Sequence, residues 1–353
     1  MELKNFDPNG VGVDNGAFFG LPFTPEQAAL VLISAPWDVT VSYGAGAALA
    51  PDALIGASTQ LDLYDAAAPG AWRAGIATAD IDPAIEECSA RLRADARKVI
   101  DHLEGGGSQQ DDYVVRKIRR VNDGSREFND LIRTQAARWL GEGKTVGLIG
   151  GDHSTPYGLI AALADCNPGF GVLHVDAHCD LRDAYEGFEF SHASIMHNVL
   201  RDFPQVSRLV QVGVRDYCCL LYTSDAAEAE RARTDPRIAL FDDRTLREAV
   251  FDGRSWLSQC ARIVDALPPL VYVSFDVDGL TIEHCPHTGT PVPGGLTFDE
   301  AACLLECVVR SGRRIIGFDL VEVVPSDDDR TDVIVGARML YKLCGLTLKS
   351  NAR

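Results

Sequence analysis

Short apolar runs recur along the chain, separated by longer segments with helical spacing. The runs are rich in Val, Ile and Leu, and several are apolar at every position, which is typical of central strands in a parallel sheet. Strands of this kind that alternate with helices predict an α/β fold of three layers, α/β/α, with a mostly parallel sheet between the helices. The predicted strands are Ala29–Ser34, Thr145–Ile149, Gly171–Val175, Arg208–Val214, Ile238–Phe241, Leu270–Phe275 and Arg314–Leu320.

The helical segments carry their own start signals. Pro51 and Pro156 suit the first turn of a helix, and Ser125 suits an N-terminal cap. Between two of these helices, the Gly- and Gln-rich segment 105–112 is predicted to be a flexible insertion. The predicted helices are Pro51–Leu61, Pro83–Leu103, Ser125–Leu140, Pro156–Ala164, Phe298–Arg310 and Thr331–Cys344.

Three predicted strands lead into short segments rich in His and Asp. These segments read Gly-Gly-Asp-His-Ser at 150–154, His-Val-Asp-Ala-His-Cys-Asp at 174–180 and Ser-Phe-Asp-Val-Asp-Gly-Leu at 274–280. Alternate side chains of an extended chain share one face, and the carboxyl ends of parallel strands meet at one edge of the sheet. We therefore expect one ligand cluster, formed by His153, Asp176, His178, Asp180, Asp276 and Asp278.

The ligand cluster combines two imidazoles with four carboxylates. Such an oxygen-rich set suits hard or borderline divalent cations such as Mn²⁺. Four buried carboxylates around one ion would repel each other strongly, whereas two divalent cations balance their charge. An isolated Asp-x-Asp is more often a loop anchor than a ligand, so the prediction of a binuclear metal site depends on all three segments together.

The three segments match, in order, the metal motifs of the ureohydrolases, and the chain resembles this family of arginases, agmatinases and related guanidino-group hydrolases. The segment Thr-Gly-Thr-Pro-Val-Pro-Gly-Gly-Leu at 288–296 is similar to a further family signature. Glu322 resembles the acid with which family members hold the guanidinium group. The resemblance covers roughly Leu30 to Leu346 and implies cleavage of a guanidino C–N bond with release of urea.

The resemblance also implies roles for individual residues. One ion would have the ligands His153, Asp176, Asp180 and Asp276, and the other would have His178, Asp176, Asp276 and Asp278. Metal binding lowers the pKa of water from about 15.7 towards about 7 and so provides a hydroxide near neutral pH. Asp180 or Asp278 would orient that hydroxide and pass on its proton. The implied cofactors are two divalent ions, Mn²⁺ or, as the alternative, Ni²⁺.

His192 is a candidate for proton transfer to the leaving amine, a task that suits an imidazole. The role is implied by resemblance of Ser191–Ser194 to the Ser-His-Gly segment of the family, and the alternative is a structural surface histidine. The chain departs from the family pattern in having Ala193 in place of Gly and Thr-Ile at 281–282 in place of Asp-Pro. We expect the second departure to change the shape of the pocket rim.

Two loops are expected to select the substrate. Leu181–Phe190 lacks the Asn and Ser with which arginases hold their amino acid, so arginase activity is not the first expectation. In this loop Arg182 suits a carboxylate, whereas Asp183 or Glu186 suits the amine of agmatine. The loop Pro36–Gly46 resembles a longer-chain branch of agmatinase-like proteins, some of which act on free guanidine.

Four residues of the Pro36–Gly46 loop are candidates for the substrate pocket. Trp37 and Tyr43 are expected to close a small pocket, and Thr40 or Asp38 to bind a guanidinium N–H. Thr288, at the start of the downstream signature, is a further substrate-binding candidate. The predicted substrate is agmatine or free guanidine. The alternatives are a formiminoglutamate or guanidino-acid hydrolase, in which Arg182 would hold the carboxylate, and an inactive binding or regulatory family member.

The net charge of −18, from 51 acidic and 33 basic side chains, argues against nucleic acid and suits a small cationic substrate. The sequence contains neither a membrane-length apolar run nor a signal peptide, so a cytoplasmic location is expected. The ten cysteines form no CxxC pair, which predicts reduced thiols. The resemblance implies a homo-oligomer, either a trimer or a hexamer.

Residues 1–353 are interpreted as a single domain with an N-terminal extension at residues 1–27. The segment 219–228, Cys-Leu-Leu-Tyr-Thr-Ser-Asp-Ala-Ala-Glu, closely resembles the translated end of a transposon adapter used in preparing DNA sequencing libraries. It follows a predicted strand, where a loop tolerates insertion. Our hypothesis is a sequence artefact, and the alternative is a natural strand-to-helix connection.

Overall fold

Eight strands form one parallel sheet in the part of the chain that the structure describes. The structure is a computed structural model that describes residues 6–79, 82–217 and 226–352. The strands are β1 (Leu30–Ser34), β2 (Ile76–Ala79), β3 (Thr145–Ile149), β4 (Phe170–Val175), β5 (Val206–Val212), β6 (Ile238–Phe241), β7 (Leu270–Asp276) and β8 (Arg314–Val321). Their order is β2-β1-β3-β8-β7-β4-β5-β6, and every neighbouring pair is parallel.

Helices cover both faces of this sheet. They are α1 (Ala50–Ser58), α2 (Ala84–Glu104), α3 (Asp112–Gly141), α4 (Tyr157–Cys166), α5 (Ile195–Asp202), α6 (Ala226–Thr234), α7 (Asp243–Phe251), α8 (Trp256–Asp265), α9 (Phe298–Arg310) and α10 (Thr331–Asn351). No helix within the described ranges is long and apolar enough to cross a membrane.

The alternation of side chains along β1 shows how the two helical layers are held. Leu30 and Leu32 point into one apolar core, with side chains of α1, α8, α9 and α10. Val31 and Ile33 point into the other core, with side chains of α2, α3, α4 and α5. All four strand residues are fully buried, as expected for a central strand covered on both faces. The predicted three-layer α/β/α fold is confirmed.

The sequence pattern places the start of α3 wrongly. The predicted helix Ser125–Leu140 is the second half of α3, and Ser125 lies in the helix interior rather than at a cap. The preceding Gly124 imitates a turn signal, but a Cβ at this position would overlap Leu92 of α2. The glycine therefore allows α2 and α3 to pack closely, which offsets the roughly 1 kcal/mol penalty of glycine inside a helix.

The segment predicted to be a flexible insertion connects α2 to α3. Gly106 adopts a left-handed backbone with a φ of 82°, and the amide of Asp111 donates to the carbonyl of Ser108 at 3.2 Å. The carboxylate of Asp111 also lies 2.8 Å from Nε2 of His102 at the end of α2. The segment is therefore a hydrogen-bonded connection between α2 and α3, and its flexibility stays a prediction.

Other regions of the chain carry weaker sequence signals. The pattern does not predict β2, whose sequence Ile-Ala-Thr-Ala has only one large apolar residue. Within the N-terminal extension, Phe18 and Phe19 are buried in the core, and the Phe19 ring lies 5.0 Å from that of Tyr341.

Of the suspected artefact, residues 219–225 lie outside the described residues, and α6 begins at Ala226. The artefact hypothesis therefore stays a prediction.

Candidate metal centre and active site

Four neighbouring strands at the middle of the sheet bring the predicted site residues together. In the order β3, β8, β7 and β4, their carboxyl ends lead to His153, Glu322, Asp276 and Asp176 respectively. The loop after β3 approaches another loop closely, because a Cβ at Gly151 would overlap the carbonyl of Trp37. This is the edge of a parallel sheet at which chemistry is expected.

The first half of the ligand cluster surrounds the imidazole of His153. Its Nδ1 lies 2.9 Å from Oδ2 of Asp176, 3.2 Å from Oδ2 of Asp180 and 3.1 Å from Oδ2 of Asp276. Despite these distances, Nδ1 is buried without a partner in hydrogen-bond geometry. One nitrogen and three oxygens thus face a common point, as the ligands of one cation do.

The second half of the ligand cluster surrounds His178. Its Nδ1 lies 3.1 Å from Oδ2 of Asp278 and 3.4 Å from Oδ1 of Asp176. Asp176 therefore directs one oxygen towards each histidine, which is the arrangement of a bridging carboxylate. Asp276 also contacts both halves, since its Oδ1 accepts the backbone N–H of Asp278 at 2.8 Å while its Oδ2 faces His153.

The electrostatics of this cluster fit a pair of cations. Burial, followed by the charges of Asp278 and Asp176, raises the pKa of Asp276 well above its ordinary value. Burial and the charge of Asp176 raise the pKa of Asp180 in the same way. The carboxylates therefore repel one another, and neighbouring positive charge would relieve that repulsion. Together with the unpartnered nitrogen of His153, the donor set fits two divalent ions.

Two carboxylates of the site have an unusual backbone. Asp180 has a φ of 55° and Glu322 a φ of 63°, both in the left-handed region. A non-glycine residue held in such a region typically costs about 1–3 kcal/mol and persists only where the surroundings impose it. For Glu322, the surroundings include a bond from its amide to the carbonyl of Gly151, at 2.8 Å. Both side chains are thereby directed to a fixed position.

Three residues that the sequence pattern does not predict hold the ligands in place. His174, the first residue of the second motif, is fully buried and places Nε2 at 2.8 Å from Oδ2 of Asp176. Gln211 of β5 lies 3.0 Å from the other ring nitrogen of His174. The hydroxyl of Ser274 lies 2.9 Å from Nε2 of His153. His174 lies two residues before Asp176, and this spacing is the sequence signal that places its side chain on the same face as the ligand.

We expect His174→Ala to weaken metal binding by about 10–100-fold, because partners of metal ligands typically contribute that much. The measurement is a metal titration against a competing chelator. His102→Ala is the matched control, since His102 lies near the C-terminal end of α2 and outside the ligand cluster, and its loss should leave the affinity unchanged. Melting temperatures of both metal-free variants separate a loss of binding from a loss of folding. Equal metal affinity in wild type and His174→Ala would remove His174 from this role.

The ligand cluster opens into a cavity of about 400 Å³. Glu322 lines this cavity, and its Oε1 accepts the backbone N–H of His153 at 2.8 Å. Burial, followed by the charges of Asp276 and Asp152, raises the pKa of Glu322 well above its usual value. A buried carboxylate in such surroundings gains from a cationic partner, so the cavity is suited to a positively charged group.

His192 also lines the cavity, at the side occupied by the Leu181–Phe190 loop. Burial, followed by the positive charges of His178 and Arg182, lowers the pKa of His192 to about 3. Its imidazole is therefore neutral near pH 7. The ring contacts Tyr185 edge-on at 6.0 Å, and Nδ1 lies 3.3 Å from the hydroxyl of Ser191. His192 is partly exposed and lines the cavity, and its role in proton transfer stays a prediction.

Arg182 lines the cavity but already has partners. Its guanidinium lies 4.4 Å from the ring of Tyr185, and its Nε lies 3.7 Å from Oε2 of Glu228. Glu228 is buried, and its Oε1 accepts the backbone N–H of Leu181 at 2.9 Å. Asp183, in contrast, is 85% exposed and lies 3.1 Å from His197. Within this loop, Arg182 faces the cavity and Asp183 faces away from it.

The structure corrects the expectations for the Pro36–Gly46 loop. Trp37 is buried in the core, where it stacks on Phe128 with ring centroids 4.4 Å apart, and Tyr43 is 82% exposed. These two side chains therefore do not close a small pocket. Thr40 is buried with an unpartnered hydroxyl, but it is not among the residues that line the cavity. Ser42 is the residue of this loop that lines the cavity.

Thr288 does not line the cavity but contacts the backbone of Glu322. Its hydroxyl donates to the carbonyl of Glu322 at 2.9 Å, which helps to hold the left-handed backbone there. Thr290, two residues later in the same signature, lines the cavity. Asp38, the other guanidinium-binding candidate, accepts the backbone N–H of Gly46 at 2.9 Å. Thr288 and Asp38 therefore form hydrogen bonds to the backbone of the protein, which is a structural role.

A family model described as the arginase family matches residues 28–345, which is most of the chain. The chain belongs to the arginase family. This membership confirms the predicted resemblance and the prediction that the protein is a ureohydrolase-type enzyme. Arginase family membership also implies the use of divalent metal ions, in agreement with the geometry of the ligand cluster.

Individual members of the arginase family are similar to the chain over nearly its full length. N(1)-aminopropylagmatine ureohydrolase of Thermus thermophilus is 30% identical over 331 residues, which cover 93% of this chain and 94% of that protein. An agmatinase of Neisseria meningitidis is 28% identical over 341 residues, with coverage of 95% and 94%. Proclavaminate amidino hydrolase of Streptomyces clavuligerus has the same fold, with a TM-score of 0.70, 22% identity and coverage of 95% and 97%.

Proposed function

We propose that the protein is a binuclear-metal hydrolase that releases urea from a guanidino amine of the agmatine type. The observation that carries the proposal is the position of Glu322, whose carboxylate lines the same cavity as the ligand cluster. A carboxylate suits a guanidinium group because the planar N–H fork pairs with two oxygens. The same carboxylate would repel a phosphate ester, so it argues against a two-metal phosphatase.

The two proposed metal ions would mark the position at which the C–N bond of the substrate breaks. When bound, the two divalent cations act as Lewis acids and lower the pKa of water towards neutrality. His153, Asp176, Asp180 and Asp276 would hold one of them, and His178, Asp176, Asp276 and Asp278 the other. Both Mn²⁺ and Ni²⁺ suit this mixture of carboxylates and imidazoles, and Mn²⁺ is proposed as the native ion.

The residues around the cluster then have separate tasks. Glu322 would hold the guanidinium in the cavity that the ligand cluster also lines. Water adds to the guanidinium carbon, and Asp180 or Asp278 takes the released proton. His192, which is neutral near pH 7 because its pKa is lowered to about 3, accepts a proton transiently and passes it to the leaving amine. The C–N bond breaks, and urea and an amine leave.

Three observations favour a substrate longer than guanidine. Trp37 and Tyr43 do not close the cavity, which has a volume of about 400 Å³. Asp216 lines its outer part with a side chain that is 61% exposed, so an acidic group is available to an amine. The similar proteins of Thermus thermophilus and Neisseria meningitidis are named for agmatine and an aminopropyl derivative of it.

A urea-release assay tests the proposed substrate class. We expect agmatine or its N-aminopropyl derivative to have the highest kcat/KM among guanidine, agmatine, aminopropylagmatine, arginine and guanidinobutyrate, with Mn²⁺ and Ni²⁺ compared. Arginine and guanidinobutyrate should be at least about tenfold poorer, a difference of about 1.4 kcal/mol, because Asp216 repels their carboxylates and Arg182 already pairs with Glu228. Fastest hydrolysis of free guanidine would replace the proposed substrate, and the absence of urea from every compound would contradict the proposed reaction.

A pair of Asp variants gives the assay an internal control. Asp216→Asn should lower kcat/KM for agmatine by up to about fivefold, the range for an exposed charge pair, and leave guanidine hydrolysis unchanged. Asp183→Asn is matched in charge but points away from the cavity, so it should change neither substrate. Equal effects of the two variants would remove Asp216 from amine binding.

A further inference from the structure

Three cysteines lie together on α8 and α9, away from the candidate active site. Cys260 of α8 is fully buried, and Cys303 and Cys307 of α9 are half-buried. The sulfur atoms of this thiol cluster (Cys260, Cys303 and Cys307) all lie within 4.8 Å of one another. All three are free thiols. The proposed hydrolysis makes no use of them.

The geometry of the thiol cluster suits a common ion. Cys303 and Cys307 are four residues apart on α9 and therefore share one face of the helix. Thiolates that surround a tetrahedral ion at about 2.3 Å have sulfur atoms about 3.8 Å apart, which is compatible with the observed limit of 4.8 Å. Because Cys303 and Cys307 are partly exposed, an ion can enter from solvent.

A neighbouring guanidinium compensates the charge that such a site would carry. Arg310 donates from Nη2 to the sulfur of Cys307 at 3.0 Å. Three thiolates around one divalent ion leave a net charge of about −1, and around a monovalent ion about −2, by simple charge counting. The guanidinium offsets one of these charges. The thiol protons are released to solvent when the ion binds.

We propose that the thiol cluster binds one soft, thiophilic cation of the Zn²⁺ or Cu⁺ class and thereby links α8 to α9. Soft thiolate ligands select such ions, whereas the oxygen-rich ligand cluster selects harder ones. The two sites therefore take different metals. The ion adds a crosslink between two helices that otherwise pack through apolar side chains and through a hydrogen bond from Nε1 of Trp256 to the carbonyl of Glu300.

A role as an oxidation-sensitive switch fits the thiol cluster less well. Sensor cysteines have a lowered pKa and are accessible. Burial, followed by the neighbouring thiols Cys303 and Cys307, raises the pKa of Cys260, and burial followed by Cys307 raises that of Cys303. These thiols are poor nucleophiles in the absence of a cation. Tight placement of three sulfurs is better explained by shared binding of an ion.

Titration of the Mn²⁺-loaded, full-length enzyme with Cd²⁺ tests the proposal, because Cd²⁺ bound by thiolates gives ultraviolet sulfur-to-metal charge-transfer absorption. Carboxylates and imidazoles do not give this absorption, so Cd²⁺ held by those ligands is silent, and any absorption from Cys179, which lines the active-site cavity, would persist in the Cys303 and Cys307 variants. We expect absorption that saturates at one equivalent and is lost, or shifted to at least about tenfold higher Cd²⁺, in Cys303→Ser and Cys307→Ser. Zn²⁺ or Cu⁺ should displace Cd²⁺, and the tighter competitor identifies the preferred ion.

Control variants make the result specific. Cys88→Ser and Cys166→Ser, which alter thiols outside the cluster, should keep the absorption, as should a Cys218→Ser/Cys219→Ser double variant. Zn²⁺ should raise the melting temperature of wild type but not of Cys303→Ser. The proposal is overturned if wild type gives no thiolate absorption, or if the absorption persists unchanged in the Cys303 and Cys307 variants. Neither outcome depends on the identity of the hydrolysed substrate.

Discussion

Asp278→Ala is expected to abolish measurable urea release and to weaken the binding of one of the two proposed ions. Oδ2 of Asp278 lies 3.1 Å from Nδ1 of His178, and its Oδ1 accepts the backbone N–H of Ala177 at 3.0 Å. The substitution removes a ligand and also a bond that holds the loop after β4. Loss of a group that merely orients a ligand costs about 10–100-fold, so we expect a loss of activity greater than about 100-fold.

Metal content and turnover need to be measured on the same preparation of Asp278→Ala. The metal-to-protein ratio after dialysis should fall from two towards one, and urea release should remain at background even in excess Mn²⁺. Asp183→Ala is the matched control, because Asp183 has an exposed side chain that faces away from the cavity. It should retain both ions. Normal turnover with two tightly held ions in Asp278→Ala would rule out Asp278 as a ligand.

The parallel fold can be predicted from the sequence because its central strands are buried on both faces. β3 and β6 have the bounds that their apolar runs predict, and α9 begins and ends as its pattern indicates. The errors lie where packing overrides local signals. Gly124 imitates a turn but allows two helices to approach, and β2 is an edge strand with small side chains.

The ligand cluster can be predicted for the same geometric reason. Its residues lie at the carboxyl ends of β3, β7 and β4, which belong to one parallel sheet with β8 between β3 and β7, so local motifs bring them to the same edge of the sheet. The contacts around it depend on pairings between distant segments, which a single sequence does not reveal. Gln211 reaches His174 from the next strand, and Thr288 supports Glu322 across the site. Trp37 resembles a pocket residue in sequence, but the pairing with Phe128 places it in the core.

The Glu322→Gln variant distinguishes substrate recognition from metal binding. Glutamine keeps the shape of the side chain and can still accept the N–H of His153, which Glu322 accepts at 2.8 Å. Only the charge is removed, so the ligand cluster and the left-handed backbone at this position should be preserved. Both ions should therefore remain bound, with an affinity close to that of wild type.

We expect Glu322→Gln to lower kcat/KM for guanidino substrates by more than about thirtyfold, and Glu322→Ala by more. Removing one partner of a buried, hydrogen-bonded charge pair typically costs about 2–5 kcal/mol, and about 2 kcal/mol corresponds to roughly thirtyfold. The measurement is kcat/KM for agmatine, with metal content determined in parallel. Because Glu322 would act on the guanidinium that all these substrates share, the loss should be similar for agmatine and guanidine, unlike that of Asp216→Asn. An unchanged kcat/KM with both ions bound would show that the guanidinium is held elsewhere in the cavity.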